Sequence, residues 1–125
     1  MSIKFLKCNR CGNIVEVVEN KMGVVSCCGQ PMEEMVINTV DASHEKHIPV
    51  YEVEGNRIKV RIGSVAHPMI PEHHIVWVEI KTKMGVQRKY IANKDEAKVC
   101  FLICEHDELE EVYAYCNLHG LWKAD

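Results

Sequence analysis

Arg57-Ile58-Lys59-Val60-Arg61-Ile62 alternates charged with branched apolar side chains over six residues. Successive side chains of a strand point to opposite faces, so Ile58, Val60 and Ile62 line one face while Arg57, Lys59 and Arg61 line the other. The stretch is a half-buried strand, and it decides the fold class because the segments on both sides read the same way. Val50 to Val53 precedes it across the turn Glu54-Gly55-Asn56; Ile75 to Ile80, Val86 to Ile91, Val99 to Ile103 and Val112 to Tyr115 follow. Short strands separated by Gly, Asn or Asp turns predict an antiparallel β-sandwich. Asp107 to Glu111 could hold a helical turn, and nothing longer reads as a helix. No solenoid-period repeat and no low-complexity tract breaks the pattern.

Upstream of the sandwich the pattern changes. Residues from about Asn38 to His47 carry few large apolar side chains and read as a linker, which divides the chain into parts 1–37 and 38–125. The first part reads as a small metal knuckle: Cys8-Asn9-Arg10-Cys11, fifteen residues, then Cys27-Cys28. Ile14 to Val18 and Val24 to Ser26 flank Asn20-Lys21-Met22-Gly23, where Gly23 is free to take positive φ. This predicts a hairpin whose ends carry the two cysteine pairs. A unit of this size has no core of its own, so a bound metal must supply much of its stability.

Composition narrows the function. The chain has 125 residues, is 47% hydrophobic, and carries net charge −3 from 15 basic and 18 acidic residues. There is no basic excess to suggest nucleic acid and no basic amphipathic helix to suggest a membrane surface. No apolar run approaches the roughly 20 residues of a membrane span. Met1 to Cys8 contains no apolar stretch the length of a signal-peptide core, so a cytoplasmic protein is expected. In that reducing compartment seven cysteines read as metal ligands rather than disulfides. The adjacent Cys27-Cys28 pair agrees, since neighbours rarely bridge two separate partners without strain.

Two ligand sets follow. Four thiolates at Cys8, Cys11, Cys27 and Cys28 can surround one tetrahedral ion, and zinc and iron both accept that geometry. Spacing does not choose between them, and sulfur count alone favours a structural zinc knuckle. An adjacent pair is nevertheless unusual for a zinc ribbon, and its two side chains must splay apart. The second set is spread out: His47, His67, His73 and the pair Cys116-x2-His119, all at expected strand ends or loops. Separations of 20, 6 and 43 residues require a folded sandwich to bring them together. For each histidine alone an ordinary surface residue is the competing reading; Cys116 and His119 are the exception, because both can reach one ion. A soft all-sulfur site beside a nitrogen-rich site points to electron handling at one or both. His74 would face away from His73, and His44 and His106 read as solvated. Cys100 and Cys104, alternating with Phe101 and Ile103, read as buried small hydrophobes. Trp77 and Trp122 read as core or site wall, and Met22, Met32, Met35, Met69 and Met84 as packing.

Glu45-Lys46-His47-Ile48-Pro49-Val50, His67-Pro68-Met69, Glu72-His73-His74-Ile75 and Cys116-Asn117-Leu118-His119-Gly120 together resemble the desulfoferrodoxin family, the two-iron superoxide reductases. The resemblance spans nearly the whole chain. Its first part is similar to desulforedoxin, down to the Cys-Cys pair, and its second to neelaredoxin. It implies a rubredoxin-like iron held by Cys8, Cys11, Cys27 and Cys28. It further implies an immunoglobulin-like sandwich holding a second iron, with His47, His67, His73 and His119 in a plane and Cys116 on the axis. Glu45 would close the open sixth position in the ferric state, and Lys46 would sit beside it. The implied activity is one-electron reduction of superoxide to hydrogen peroxide, with an external donor such as a rubredoxin, in a homodimer. Ile70-Pro71 departs from the acidic residues many relatives carry there, and Cys100 and Cys104 exceed the five cysteines the family requires. Two other classes compete: an iron electron carrier without catalysis, which would keep its metals closed, and a zinc-stabilised binding module, which iron content would separate.

Overall fold

A computed structural model of the chain describes residues 2–38, 44–64, 66–91 and 96–125, the Glu45 side chain excepted. It divides into two units, Met1–Val36 and Ile37–Asp125.

In the first unit, β1 (Phe5–Lys7) lies between β2 (Ile14–Glu16) and β5 (Glu33–Glu34), antiparallel to both. β3 (Ser26–Cys27) pairs with β4 (Gln30–Pro31) in a separate short ladder. The expected hairpin between Ile14 to Val18 and Val24 to Ser26 is therefore not formed. The reason is burial: Phe5 and Leu6 are the large apolar side chains this unit buries, and β2 pairs beside the strand that carries them. Val18, Met22 and Val24 remain 79–89% exposed, so a hairpin there would bury nothing. Positive φ falls on Met22 (66°) rather than Gly23, with the Asn20 side chain accepting a 3.0 Å bond from the Met22 N–H.

The second unit is an antiparallel β-sandwich. β6 (Pro49–Glu54), β7 (Arg57–Ile62) and β10 (Lys98–Leu102) form one sheet in the order β10-β7-β6. β8 (Ile75–Thr82), β9 (Gly85–Tyr90), β11 (Leu109–Cys116) and β12 (Gly120–Lys123) form the other, in the order β12-β11-β8-β9. This is the seven-strand arrangement of an immunoglobulin-like sandwich. Ile58, Val60 and Ile62 of β7 meet Val78 and Ile80 of β8, Val112 and Ala114 of β11 and Phe101 of β10 in one core. Each fully buried side chain of that size contributes about 2 kcal/mol by leaving water. The alternation of β7 is realised residue by residue, with Arg57, Lys59 and Arg61 exposed. A buried carboxylate, Glu79, is paired with the Arg88 guanidinium of the next strand at 2.9 Å.

Several expectations change. Cys100 and Cys104 are exposed, because Phe101 takes the inward position on β10 and Cys100 stands opposite Lys59 on the outer face. Met22 and Met84 are exposed rather than packed, whereas Met69 lies against the core. Asp107 to Glu111 forms no helical turn; β11 starts at Leu109, opposite Thr82. β12 was too short to show alternation. Asn38 is no linker residue: it exchanges three hydrogen bonds of 2.8–3.2 Å with Leu121 and Lys123. Residues 39–43 of the expected linker lie outside the described residues. One helical turn, α1 (His44–His47), precedes β6. Among the described residues no helix is long and apolar enough to cross a membrane.

The strand directions place the ligand-bearing segments. α1 leads into the start of β6, and the Gly63 N–H after β7 donates to Ile48 O at 3.0 Å. The segment carrying His67 and His73 runs from β7 into β8. The turn from Cys116 to Gly120 joins β11 to β12. In antiparallel sheets all of these fall at one end of the sandwich. A bulge fits the ladder to this end: Tyr115 pairs with Trp77 but Cys116 pairs with Ile75, leaving Val76 as the extra residue. Bulges re-aim side chains beside sites, and here Ile75 and Cys116 both reach the core face.

Candidate metal centres

Four imidazoles close a ring at that end of the sandwich. Centroids of successive rings in the order His47, His67, His73, His119 and back to His47 are 4.6, 4.6, 4.9 and 4.8 Å apart. Each neighbouring pair is near perpendicular, at 77–87°. His47 and His73 face each other across the ring at 5.9 Å. One donor atom from each of His47, His67, His73 and Cys116 lies within 4.8 Å of the others. His119 joins through Nδ1, which is 3.0 Å from His47 Nε2.

The hydrogen bonds select the inward atoms. His67 Nδ1 is 2.7 Å from Pro68 O. A carbonyl only accepts, so Nδ1 carries the proton and Nε2 keeps its lone pair. His67 Nε2 and His73 Nε2 are buried without any hydrogen-bond partner. Orphaned lone pairs of this kind are costly unless a cation takes them. Burial pushes the His67 pKa down to about 4, and burial, His119 and Lys46 together lower that of His73. Both rings are thus held in the neutral form that binds a metal. Burial raises the Cys116 thiol, opposed by the backbone N–H groups of His119 and Leu118, which favour the thiolate. Four nitrogens and one sulfur, convergent, suit a transition metal.

The surroundings hold this ring in place. Trp122 is fully buried, stacks on His47 at 4.9 Å and 26°, and donates its indole N–H to His119 O at 3.1 Å. His44 meets the indole edge-on at 5.2 Å. Lys46 is half-buried and close enough to depress protonation of His73. Glu45 lies on the same turn, and the expectation for its carboxylate falls outside what the structure describes. His74 stays out of the cluster, its Nδ1 bonded to Ile70 O at 3.0 Å.

The first unit holds the second group, Cys8, Cys11, Cys27 and Cys28, whose sulfurs also lie within 4.8 Å of one another. The Cys8-to-Cys11 knuckle turns its amides toward sulfur: Arg10 and Cys11 N–H both donate to Cys8 Sγ at 3.4 Å, and Asn13 N–H to Cys11 Sγ at 3.4 Å. The Cys11 and Arg10 amides hold the Cys8 thiol down at about 6. Hydrogen bonding to Cys11, Cys27 and Cys8 pushes Cys28 up to about 12. One thiol of the four ionises readily and another resists, which is the behaviour of crowded sulfurs that a single cation would reconcile. The adjacent pair splays because Cys28 takes φ 53° and Gly29 φ 75°, two left-handed residues in succession. Four thiols at this spacing fit one tetrahedral iron.

A β-sandwich with a four-histidine, one-cysteine pocket and a separate four-thiol knuckle defines a metalloprotein with two unlike centres. Comparison with known proteins narrows this to one family. Residues 39–125 match the model of the family described as desulfoferrodoxin, and residues 3–35 that of the desulfoferrodoxin N-terminal domain. The chain is 48% identical over 118 residues to a desulfoferrodoxin homolog of Archaeoglobus fulgidus, covering 94% of this chain and 93% of that protein. It is 44% identical over 124 residues to a desulfoferrodoxin of Syntrophotalea carbinolica, covering 98% and 96%. The crystal structure of the superoxide reductase from Treponema pallidum superposes with a TM-score of 0.84 at 38% identity, over 100% of both chains. The chain belongs to the desulfoferrodoxin family. Its two residue groups match the two iron sites of that family.

Trp122 is the buried wall of the site that the sequence predicts, whereas the hydrogen bonds of Asn117 to Glu72 and His74 have no signal in the sequence. The signal for Trp122 was its place three residues after His119; its stacking on His47 exists only in the fold.

Proposed function

We propose that this chain is a superoxide reductase. Superoxide, one electron and two protons give one hydrogen peroxide, and the electron comes ultimately from an external donor. The observation that carries the reading is the closed ring of four imidazoles with the buried Cys116 sulfur in reach and Lys46 beside it. Iron held by His47, His67, His73, His119 and Cys116 supplies a one-electron reductant when bound. Neutral imidazoles leave most of the cation's charge uncompensated, so the pocket attracts a small anion. The sulfur of Cys116 is the strong donor of the set and favours giving an electron, by analogy with thiolate-ligated haem. Lys46 adds a positive charge that steers superoxide inward and orders water for proton delivery. Glu45, next to it, offers a carboxylate that competes with the product and helps it leave.

Parts 1–37 and 38–125 divide the chain: the sandwich carries the residues of the reaction, and Cys8, Cys11, Cys27 and Cys28 of the first part would hold the other iron, which would supply a one-electron centre. A rubredoxin-like carrier is the donor, the protein acts in the cytoplasm, and it works as a homodimer. Anaerobically reduced protein mixed with superoxide should oxidise its histidine–cysteine centre by one electron per superoxide. No oxidation at stoichiometric superoxide would reject the reading and leave an electron carrier.

Lys46→Ala should slow the bimolecular reaction several-fold and flatten its dependence on salt, with iron content unchanged. Removing one charge affects the encounter with an anion more than it affects ligation. Pulse radiolysis at several ionic strengths measures both; an unchanged rate removes Lys46 from the steering role.

A further inference from the structure

We infer that Asn117 is a positioning residue, whose side-chain amide ties the segment carrying His73 to the turn carrying Cys116 and His119. The inference deepens the proposed function and rests on it for the identity of the metal. The backbone of Asn117 extends the β11 ladder by one step, its N–H donating to His74 O at 3.1 Å. Its side chain then adds two bonds: Oδ1 accepts from His74 N–H at 2.8 Å, and Nδ2 donates to Glu72 O at 3.0 Å. Glu72 O and His74 N–H are the backbone groups on either side of His73. A planar amide offering one donor and one acceptor stands in for the next peptide of a strand that has ended. His73 is therefore gripped from both sides by the residue that follows Cys116.

The alternatives for holding that segment are internal. Ile70 and His73 exchange two backbone bonds of 3.1 Å, and His74 Nδ1 bonds back to Ile70 O. Among the described residues, the hydrogen bonds that carry residues 70–74 to another part of the chain end on Asn117. His73 Nε2, buried and unpartnered, is the atom this tether aims. Without it His73 keeps its loop but loses its distance from the sulfur of Cys116. Partners that orient a ligand from outside are worth about 10- to 100-fold in metal affinity.

The test uses the full-length, iron-loaded protein and two variants, Asn117→Ala and Asn117→Asp. The readouts are the rate at which a chelator removes iron from the histidine–cysteine centre and the ferric electron paramagnetic resonance line of that centre. Asn117→Ala should release this iron about tenfold faster or more, with a line broadened into several environments, while the four-sulfur iron in the same sample is unaffected. Asn117→Asp keeps the acceptor for His74 N–H and loses the donor for Glu72 O, so it should fall between. Should the alanine variant fail to fold, the aspartate variant decides alone. Wild-type release rate and line shape overturn the inference, as does equal iron loss from both centres, which would mean a merely structural role. Neither readout involves superoxide, so failure of the proposed activity would leave this result standing separately.

Discussion

Cys116→Ser is expected to abolish superoxide reduction in a chain that still folds. Cys116 is 0% exposed and lies in the core cluster with Ile75 and Ala114. Serine is close in volume, and the Leu118 and His119 amides that face the sulfur remain to satisfy a hydroxyl. The cost of burying that hydroxyl is about 1–2 kcal/mol, within the tolerance of a domain with this core. What is lost is the donor. A serine hydroxyl stays protonated near neutral pH and cannot push electron density toward a bound anion as a thiolate does. Pulse radiolysis would read the rate, and the unfolding midpoint would report the fold. A rate within tenfold of wild type in a folded, iron-containing variant would take Cys116 out of the mechanism.

Stripped of metal, the sandwich should lose stability as pH falls from about 6.5 toward about 4. The sign follows from burial. An unfolded histidine titrates near its ordinary 6.5, whereas burial holds folded His67 at about 4 and lowers His73 as well. Between those values the unfolded chain binds more protons, so acid favours unfolding; above 6.5 the stabilisation is fully present. His67 alone accounts for about 3 kcal/mol of this loss. Cys116 acts on the other limb. Its folded thiol lies above the ordinary 9.0, so the stability it contributes is lost as pH rises past that value. Denaturant midpoints of the sandwich unit in chelator-treated protein should therefore form a plateau between about 6.5 and 9 and fall on both sides. A midpoint flat from 4 to 7 would contradict the buried, neutral state of these rings.

The strands were legible wherever one face meets the core and the other meets water. Ile58, Val60 and Ile62 state that alternation directly; the β8 and β11 segments read as strands from their branched and aromatic residues, although the fold buries both of their faces over much of their length. β12 was not legible, since Leu121 and Trp122 are consecutive and both buried, on opposite faces of a four-residue strand. The knuckle was misjudged at the level of pairing. Which strand β2 joins depends on Phe5 and Leu6 finding a partner, and nothing local to residues 14–26 records that. Cys100 shows the limit of composition: a small residue between Val99 and Phe101 reads as buried, yet the register places it opposite Lys59. At the centre, spacing alone could not unite histidines 6 to 72 residues apart; the order of four short motifs did so through family resemblance. Asn117 and Trp122 act through partners distant in the chain, which only the fold supplies.

The central claim is reduction without dismutation, and product yield decides it. Purified iron-loaded protein should be supplied with superoxide with and without an electron donor, while hydrogen peroxide and dioxygen are both measured. A reductase yields one peroxide per superoxide, consumes one external electron each time, stops when the donor is withheld, and releases no dioxygen. Sustained dioxygen release without a donor, with half as much peroxide, would contradict the account.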